Sequence, residues 1–156
     1  PRARVVLLKD FSEEGFVFFT NYRSEKGKSL LKYPKVGLSF YWPSLERQII
    51  IKGLAEKLSI EKSDQYFKSR PRGSQLGAHV SPQSEVIPDR KFLEDLQASL
   101  TKKFEHTEIP RPDYWGGILV SPHEIEFWQG RPNRLHDRIS CVLENGVDWK
   151  IERLAP

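Results

Sequence analysis

The sequence predicts a mainly β protein with inserted helices, arranged as a small barrel. Apolar runs rich in β-branched and aromatic residues recur along the chain, continuous or with a period of two. Helical spacing appears only in shorter stretches between them. Asn145-Gly146 separates the last two runs, and this dipeptide suits a two-residue hairpin whose central positions both need positive φ.

Taken in order, Arg4–Leu8 and Phe16–Thr20 read as strands, followed by a helical pattern over Glu25–Lys32. Val36–Trp42 and Gln48–Leu58 are two further strands. A second helix is expected over Ile60–Ser69, ended by Pro71, which lacks a backbone donor. The third helical pattern, Asp89–Phe104, is entered through Pro88-Asp89 and carries Phe92, Leu93, Leu96 and Leu100 at helical spacing. Thr107–Asp113, with Pro110 and Pro112, is a loop. Gly117–Val120, Glu124–Trp128, Ile139–Leu143 and Val147–Leu154 complete the strands.

With 156 residues the chain suits one domain, 1–156, with a genuine core. No apolar run approaches the roughly 18 residues of a membrane span, and no signal-like start is present, so a soluble protein without membrane association is expected. One cysteine, Cys141, excludes an intrachain disulfide and fits a reducing, cytoplasmic compartment. No Cys/His cluster has metal-ligand spacing, so no metal is expected. The net charge of +4 is spread among 21 acidic residues without forming a stripe, which argues against nucleic acid. His79, His106 and His123 read as ordinary surface or loop residues.

Residues 126–138 are chemically dense, packing Trp128, Gln129, Arg131, Arg134, His136 and Arg138 around Gly130 and Pro132. Arginine forks suit phosphates and carboxylates, histidine titrates near neutral pH, and tryptophan offers a flat face. The segment therefore suits a pocket for an anionic, aromatic ligand, although a hairpin with a solvated basic edge has the same composition. If it is extended, Arg134 and His136 point one way and Leu135 the other. Tyr66 and Arg70 are four apart on the second helix and share a face, with Ser74 just beyond Pro71. Together with Lys9 they could donate several charge-assisted hydrogen bonds to a phosphate, and they equally suit an amphipathic surface helix.

The chain resembles the pyridoxine/pyridoxamine 5′-phosphate oxidase family. The likeness runs through Glu-Phe-Trp-Gln-Gly at 126–130, Arg-Leu-His-Asp-Arg at 134–138 and Glu-Arg-Leu-Ala-Pro at 152–156. It continues at Arg4–Lys9, Phe18–Asn21, Phe40–Trp42, Arg47–Gln48, Tyr66–Pro71, Ser74–Gly77 and Trp115–Gly117. The resemblance implies a dimeric FMN-binding split β-barrel that oxidises pyridoxine or pyridoxamine 5′-phosphate to pyridoxal 5′-phosphate. Dioxygen would be the acceptor, giving peroxide, and ammonia from the amine. It assigns flavin contacts to Arg4, Val5, Val6, Leu7, Phe19, Thr20, Lys26, Gln48, Gln83, Ser84, Trp128 and Arg138. It assigns the substrate phosphate to Lys9, Tyr66, Arg70 and Ser74, and the pyridine side to Arg134, Leu135 and His136, with Arg134 and His136 nearest the chemistry. The resemblance also implies an amino-terminal arm and a preceding strand, which are expected to be missing from the stretch 1–156.

One position departs from the family pattern, where Ser-Arg-Lys is usual and this chain has Ser24-Glu25-Lys26. Arg23 is expected to compensate by pairing with Glu25 or reaching the flavin phosphate. Two other functions fit the same scaffold, a flavin-binding split barrel of different activity and a pyridoxal phosphate carrier. The first would not be expected to keep both the Tyr66–Arg70–Ser74 clamp and the Arg134–His136 pair. Peroxide formation separates the second.

Overall fold

The structure, a computed structural model, describes residues 3–156. Its strands are β1 (Asp10–Ser12), β2 (Gly15–Asn21), β3 (Lys35–Trp42), β4 (Arg47–Lys57), β5 (Trp115–Gln129), β6 (Asp137–Glu144) and β7 (Asp148–Leu154). Its helices are α1 (Glu25–Lys32), α2 (Ile60–Ser69), α3 (Arg72–Val80) and α4 (Arg90–Lys103). All strand pairs are antiparallel, in the order β1-β2-β5-β4-β3, with β6 on β5 and β7 on β6.

The 15-residue β5 is the spine. β4 pairs along nearly all of it, from Arg47↔Gln129 to Lys57↔Ile118. The opposite edge is shared, with β2 along residues 115–120 and β6 along residues 124–129. Sequence periodicity divided this strand into Gly117–Val120 and Glu124–Trp128; the structure makes it one. The apparent break is a register shift between Lys52 and Gly53, where Gly53 faces Pro122. Proline cannot donate to a ladder, and a bulge accommodates it.

Strand alternation sends β2 into two cores. Phe18 joins Ala55, Ile118 and Val120, with Val36 and Leu38 of β3 and Leu30 of α1 packed against them, so the sheet curls around this cluster. Phe19 faces the other way, toward Phe67, Leu76, Ala78, Phe104, Ile109 and Trp115. Helices α2, α3 and α4 therefore cover the outside of the half-barrel, while α1 packs on the inner cluster through Leu30.

Local chemistry explains the helix starts. Ser24, Ser59 and Asp89 cap α1, α2 and α4 by accepting from Gly27, Lys62 and Phe92 amides. Asn145 and Gly146 have φ of 52° and 73°, as the predicted hairpin between β6 and β7 requires.

Three expectations need correction. Arg4–Leu8 is not a strand; the ladder begins at Asp10, and the Lys9 amide to the Val17 carbonyl, 2.9 Å, is the bond leading into it. Val5 and Leu7 are exposed while Val6 packs on the barrel core, so the alternation is real but serves packing without pairing. Pro71 ends α2 as expected but also caps α3, a helix hidden in the sequence by Gly73 and Gly77, which are poor helix formers. His79, half-buried on α3, is more engaged than an ordinary surface residue: its Nε2 lies 2.7 Å from the Pro110 carbonyl oxygen and its ring neighbours those of Phe67 and Phe104.

A Cβ at Gly53 would lie 2.5 Å from the Ser121 carbonyl oxygen and 2.9 Å from Val120 Cγ1. Gly53→Ala is therefore expected to lower stability by about 1–3 kcal/mol through overpacking, read as a lower denaturation midpoint at unchanged slope.

Candidate functional site

The sheet and helices bring the singled-out residues into three groups. The first lies on the outer face. A cleft of about 820 Å³ is lined by Lys9, Glu14, Phe19, Lys62, Tyr66 and Ser69, among others. Phe19 and Tyr66 stack with ring centroids 3.7 Å apart, and both lie nearly parallel to Trp115. One turn beyond Tyr66, the Arg70 guanidinium rests over the Trp115 ring at 4.4 Å. Its Nη1 is buried and has no hydrogen-bond partner. Burial lowers the proton affinity of Arg70, and the nearby Tyr66 opposes that shift. A half-buried guanidinium with an unpaired donor has the chemistry to take an anionic partner. Ser74 is exposed in the first turn of α3 and lies outside the residues lining the cleft.

The second group sits where β2 ends and α1 begins. Lys26 Nζ donates to Thr20 Oγ1 and lies 5.8 Å from the Phe18 ring. Burial and the neighbouring Arg4 push the Lys26 ammonium below its usual value. Two cations repelling each other beside a helix amino terminus favour a bound anion between them. Arg4 also lies 3.8 Å from Glu25, so the carboxylate that departs from the family pattern faces Arg4. Arg23 turns elsewhere, stacking on Tyr114 at 4.6 Å and meeting Asp113 at 3.6 Å. The expected pairing of Arg23 with Glu25 is thus not the arrangement found; residues 21–24 form a turn, which removes the shared face assumed for an extended segment.

The third group crosses the far half of the sheet. Tyr41, Gln48, Trp128 and Arg138 are successive partners across β3, β4, β5 and β6, and so share a face. Gln48 Nε2 donates to Ser39 Oγ at 3.1 Å. Arg138 makes a two-pronged pair with Glu126, 2.8 and 3.0 Å, and also donates to the Ala155 carbonyl. That pair holds the Glu126 carboxyl below the usual glutamate range.

The loop from β5 to β6 corrects the extended reading of Arg134–His136. Asn133 and Arg134 both have positive φ, 57° and 61°, in a short turn over Pro132–Arg134. Arg134 and Leu135 are exposed, while His136 tucks back 4.9 Å from the Trp128 ring. The Arg131 amide donates to His136 Nδ1 at 3.1 Å, so the neutral imidazole carries its proton on Nε2. Arg131 and Arg153 both bind Asp137 and pin the loop base. Gln83 and Ser84 lie exposed in the turn after α3, Ser84 with φ of 75°, and join none of the three groups.

Sequence reasoning missed Glu126, although its alternation with Trp128 opposite Arg138 was a readable signal. It also missed Gln75, whose Nε2 donates to the carbonyls of Phe67, Lys68 and Arg70 and fixes the corner between α2 and α3. Among the described residues no His/Cys/Asp/Glu group could hold a metal ion, and no helix is long and apolar enough to cross a membrane.

Comparison with known proteins places this geometry in context. Residues 1–98 match the family model described as pyridoxamine 5′-phosphate oxidase, and residues 115–156 that of the pyridoxine 5′-phosphate oxidase C-terminal dimerisation region. A pyridoxine/pyridoxamine 5′-phosphate oxidase from Flavobacterium johnsoniae is 61% identical over 99% of this chain and 72% of its own length. One from Nostoc sp. is 56% identical over 100% and 73%. Among solved structures, PhzG from Burkholderia lata 383, in complex with tetrahydrophenazine-1-carboxylic acid, superposes with a TM-score of 0.91 at 31% identity. The match covers 98% of this chain and 74% of that one. A pyridoxamine 5′-phosphate oxidase-related, FMN-binding protein from Nostoc punctiforme shares the fold, with a TM-score of 0.76 at 16% identity over 98% and 80%.

Glu126 is depressed when folded, so its contribution to stability is present above the ordinary glutamate value and is lost as pH falls through the lower folded value. Denaturation midpoints measured between neutral pH and pH 3 should therefore fall less steeply in Glu126→Gln than in the parent. The variant should already be less stable at neutral pH, where Arg138 has lost its carboxylate.

Proposed function

The chain belongs to the pyridoxine/pyridoxamine 5′-phosphate oxidase family, and we propose from that premise how its residues carry out the oxidation of pyridoxine or pyridoxamine 5′-phosphate to pyridoxal 5′-phosphate. The observation that carries the residue assignment is Arg70, whose buried Nη1 has no partner and which follows by one turn Tyr66, a lining residue of a cleft that also presents Lys9. A phosphate dianion supplies what that donor lacks. Lys9 adds a second cation and the Tyr66 hydroxyl a neutral donor, and Ser74, exposed in the first turn of α3, is the fourth proposed donor although it lies outside the cleft lining.

The cofactor of this reading is FMN, and the cluster of Arg4, Thr20 and Lys26 fits its phosphate. Lys26 is a partly desolvated ammonium beside a second cation, an arrangement that a phosphate relieves. Gln48 and Trp128, aligned across β4 and β5, offer an amide and a ring face to the isoalloxazine. Arg138, oriented by Glu126, fixes the neighbouring position. When bound, FMN supplies the two-electron acceptor for the 4′ carbon of the substrate, with dioxygen taking the electrons on to peroxide.

The protein's own task is placement. The clamp would hold the phosphate end of the substrate and so limit the positions open to its pyridine ring and 4′ carbon. Arg134, exposed on its turn, covers the open side of the pyridine. His136, with its proton on Nε2, donates to a ring substituent, which favours an orienting role over proton removal.

A homodimer completes the site. The face of the sheet that carries Ile51 and Ile125 continues outward through Phe127, Trp149 and Ile151, of which Ile151 is 67% exposed. This apolar continuation lies in the region matched to the family's dimerisation model. A second copy covering it would bring together groups that one chain holds apart.

Anaerobic pyridoxamine 5′-phosphate should bleach the flavin band of the purified protein, and air should restore it with one peroxide per turnover; a carrier would bind without bleaching. Lys26→Ala should weaken flavin binding by about tenfold or more, roughly 1.4 kcal/mol. Arg134→Leu should instead raise KM and slow reduction with flavin content near normal. The same phenotype in both would refute the division of labour. Ile151→Lys should shift sedimentation from dimer toward monomer and lower flavin content with it; a monomer that retained flavin would refute the shared site.

A further inference from the structure

We propose that Trp115 is a positioning residue for the oxidation, holding the Arg70 guanidinium where it meets the substrate phosphate. The inference rests on the reading of Arg70 as a phosphate ligand.

Most arginines fixed in this structure are fixed by carboxylates. Arg111 has Asp64 at 2.6 Å, Arg138 has Glu126, and Arg131 has Asp137. Among the described residues Arg70 has no such ion pair. What it has is an aromatic floor, Trp115 at 4.4 Å and Phe67 at 5.5 Å. The difference has a chemical consequence. A carboxylate would orient Arg70 but occupy its donors and cancel its charge. A ring face attracts the guanidinium through its quadrupole, sets its plane, and leaves the edge donors free.

Trp115 is itself only 8% exposed and is covered by Phe19 and Tyr66. It therefore acts through other residues and does not touch the ligand. Its plane lies within 5° of Tyr66 and 15° of Phe19, so the indole that carries Arg70 is also aligned with the clamp residue Tyr66. The backbone end is fixed separately: Gln75 gathers the last carbonyls of α2, including that of Arg70, at 3.1–3.2 Å. With Cα anchored by Gln75 and the head group resting on Trp115, the long side chain retains little freedom to lose on binding.

Titration of the flavin-loaded protein with pyridoxal 5′-phosphate and with pyridoxal, followed by flavin absorbance, tests this. Trp115→Leu should raise the Kd for pyridoxal 5′-phosphate about tenfold and that for pyridoxal less than twofold. In turnover, KM for pyridoxamine 5′-phosphate should rise with kcat within about twofold. Trp115→Phe, which keeps a smaller ring face, should lose about two- to threefold, again only for the phosphorylated ligand; it decides the matter should the leucine variant fail to fold. Arg70→Ala should lose at least as much as Trp115→Leu, and the double variant no more than Arg70→Ala alone, because the tryptophan acts through the arginine. Parallel loss for pyridoxal would make Trp115 a packing residue only and overturn the proposal. So would unchanged pyridoxal 5′-phosphate affinity in the Trp115 variants when Arg70→Ala weakens it. If Arg70→Ala itself leaves that affinity intact, the phosphate reading of Arg70 fails, and this inference with it.

Discussion

The close approach of chain at Gly116 and Gly117 is the constraint on which the site depends. A Cβ at Gly116 would stand 2.2 Å from the Tyr22 hydroxyl oxygen, and one at Gly117 2.8 Å from Leu58 Cδ2. The space is used for bonding. The Gly117 amide donates to Ser63 Oγ, and its carbonyl accepts from the Tyr22 hydroxyl and the Leu58 amide. These contacts seat α2 directly against the first residues of β5. Because Ser63, Tyr66 and Arg70 fall on one side of that helix, seating Ser63 on the sheet delivers Tyr66 to the cleft and Arg70 to its place over Trp115. Trp115, two residues before Gly117 on the same strand, is under Arg70 for the same reason.

Much of the sheet was legible because each strand carries its own signal. β3 and β4 alternate or run apolar within short sequence windows, and their boundaries fell within a residue of expectation. The residues that misled did so where the decisive partner is remote. Arg4–Leu8 has strand composition, but composition does not say whether a neighbouring edge is available to pair with it. Arg134–His136 looked extended, whereas two residues of positive φ turn the chain there. The clamp residues were nameable from family likeness and helical spacing. The aromatic floor beneath Arg70 was not, since Trp115 is far along the chain and only the tertiary fold sets the two in contact.

The ion pairs of this protein divide into two kinds. Lys91–Asp95 and Arg90–Glu94 are exposed helix pairs of the sort worth a few tenths of a kcal/mol. Arg111–Asp64 is different, with the arginine 11% exposed and also donating to the Trp115 and Pro112 carbonyls. It ties the loop before β5 to α2 and so reinforces the same seam that the glycines open. Arg70 and Lys26 stand apart from both kinds, since burial lowers the proton affinity of each. In the function proposed above, a ligand phosphate would offset that cost at both cations, and ligand binding and fold stability would be linked through them.

The position of β5 in the chain has a consequence for biosynthesis. Phe16 pairs with Val120 and Lys57 with Ile118, so the strand that unites β2 with β4 is translated about a hundred residues after one partner and about sixty after the other. Until it emerges from the ribosome, β2 and β4 each present an unpaired edge next to apolar side chains. Long-range pairings of this kind slow folding and prolong the interval in which such edges can capture another chain. The nascent protein is thus most vulnerable to misassociation just before Trp115 appears, and the same segment that completes the catalytic architecture ends that exposure.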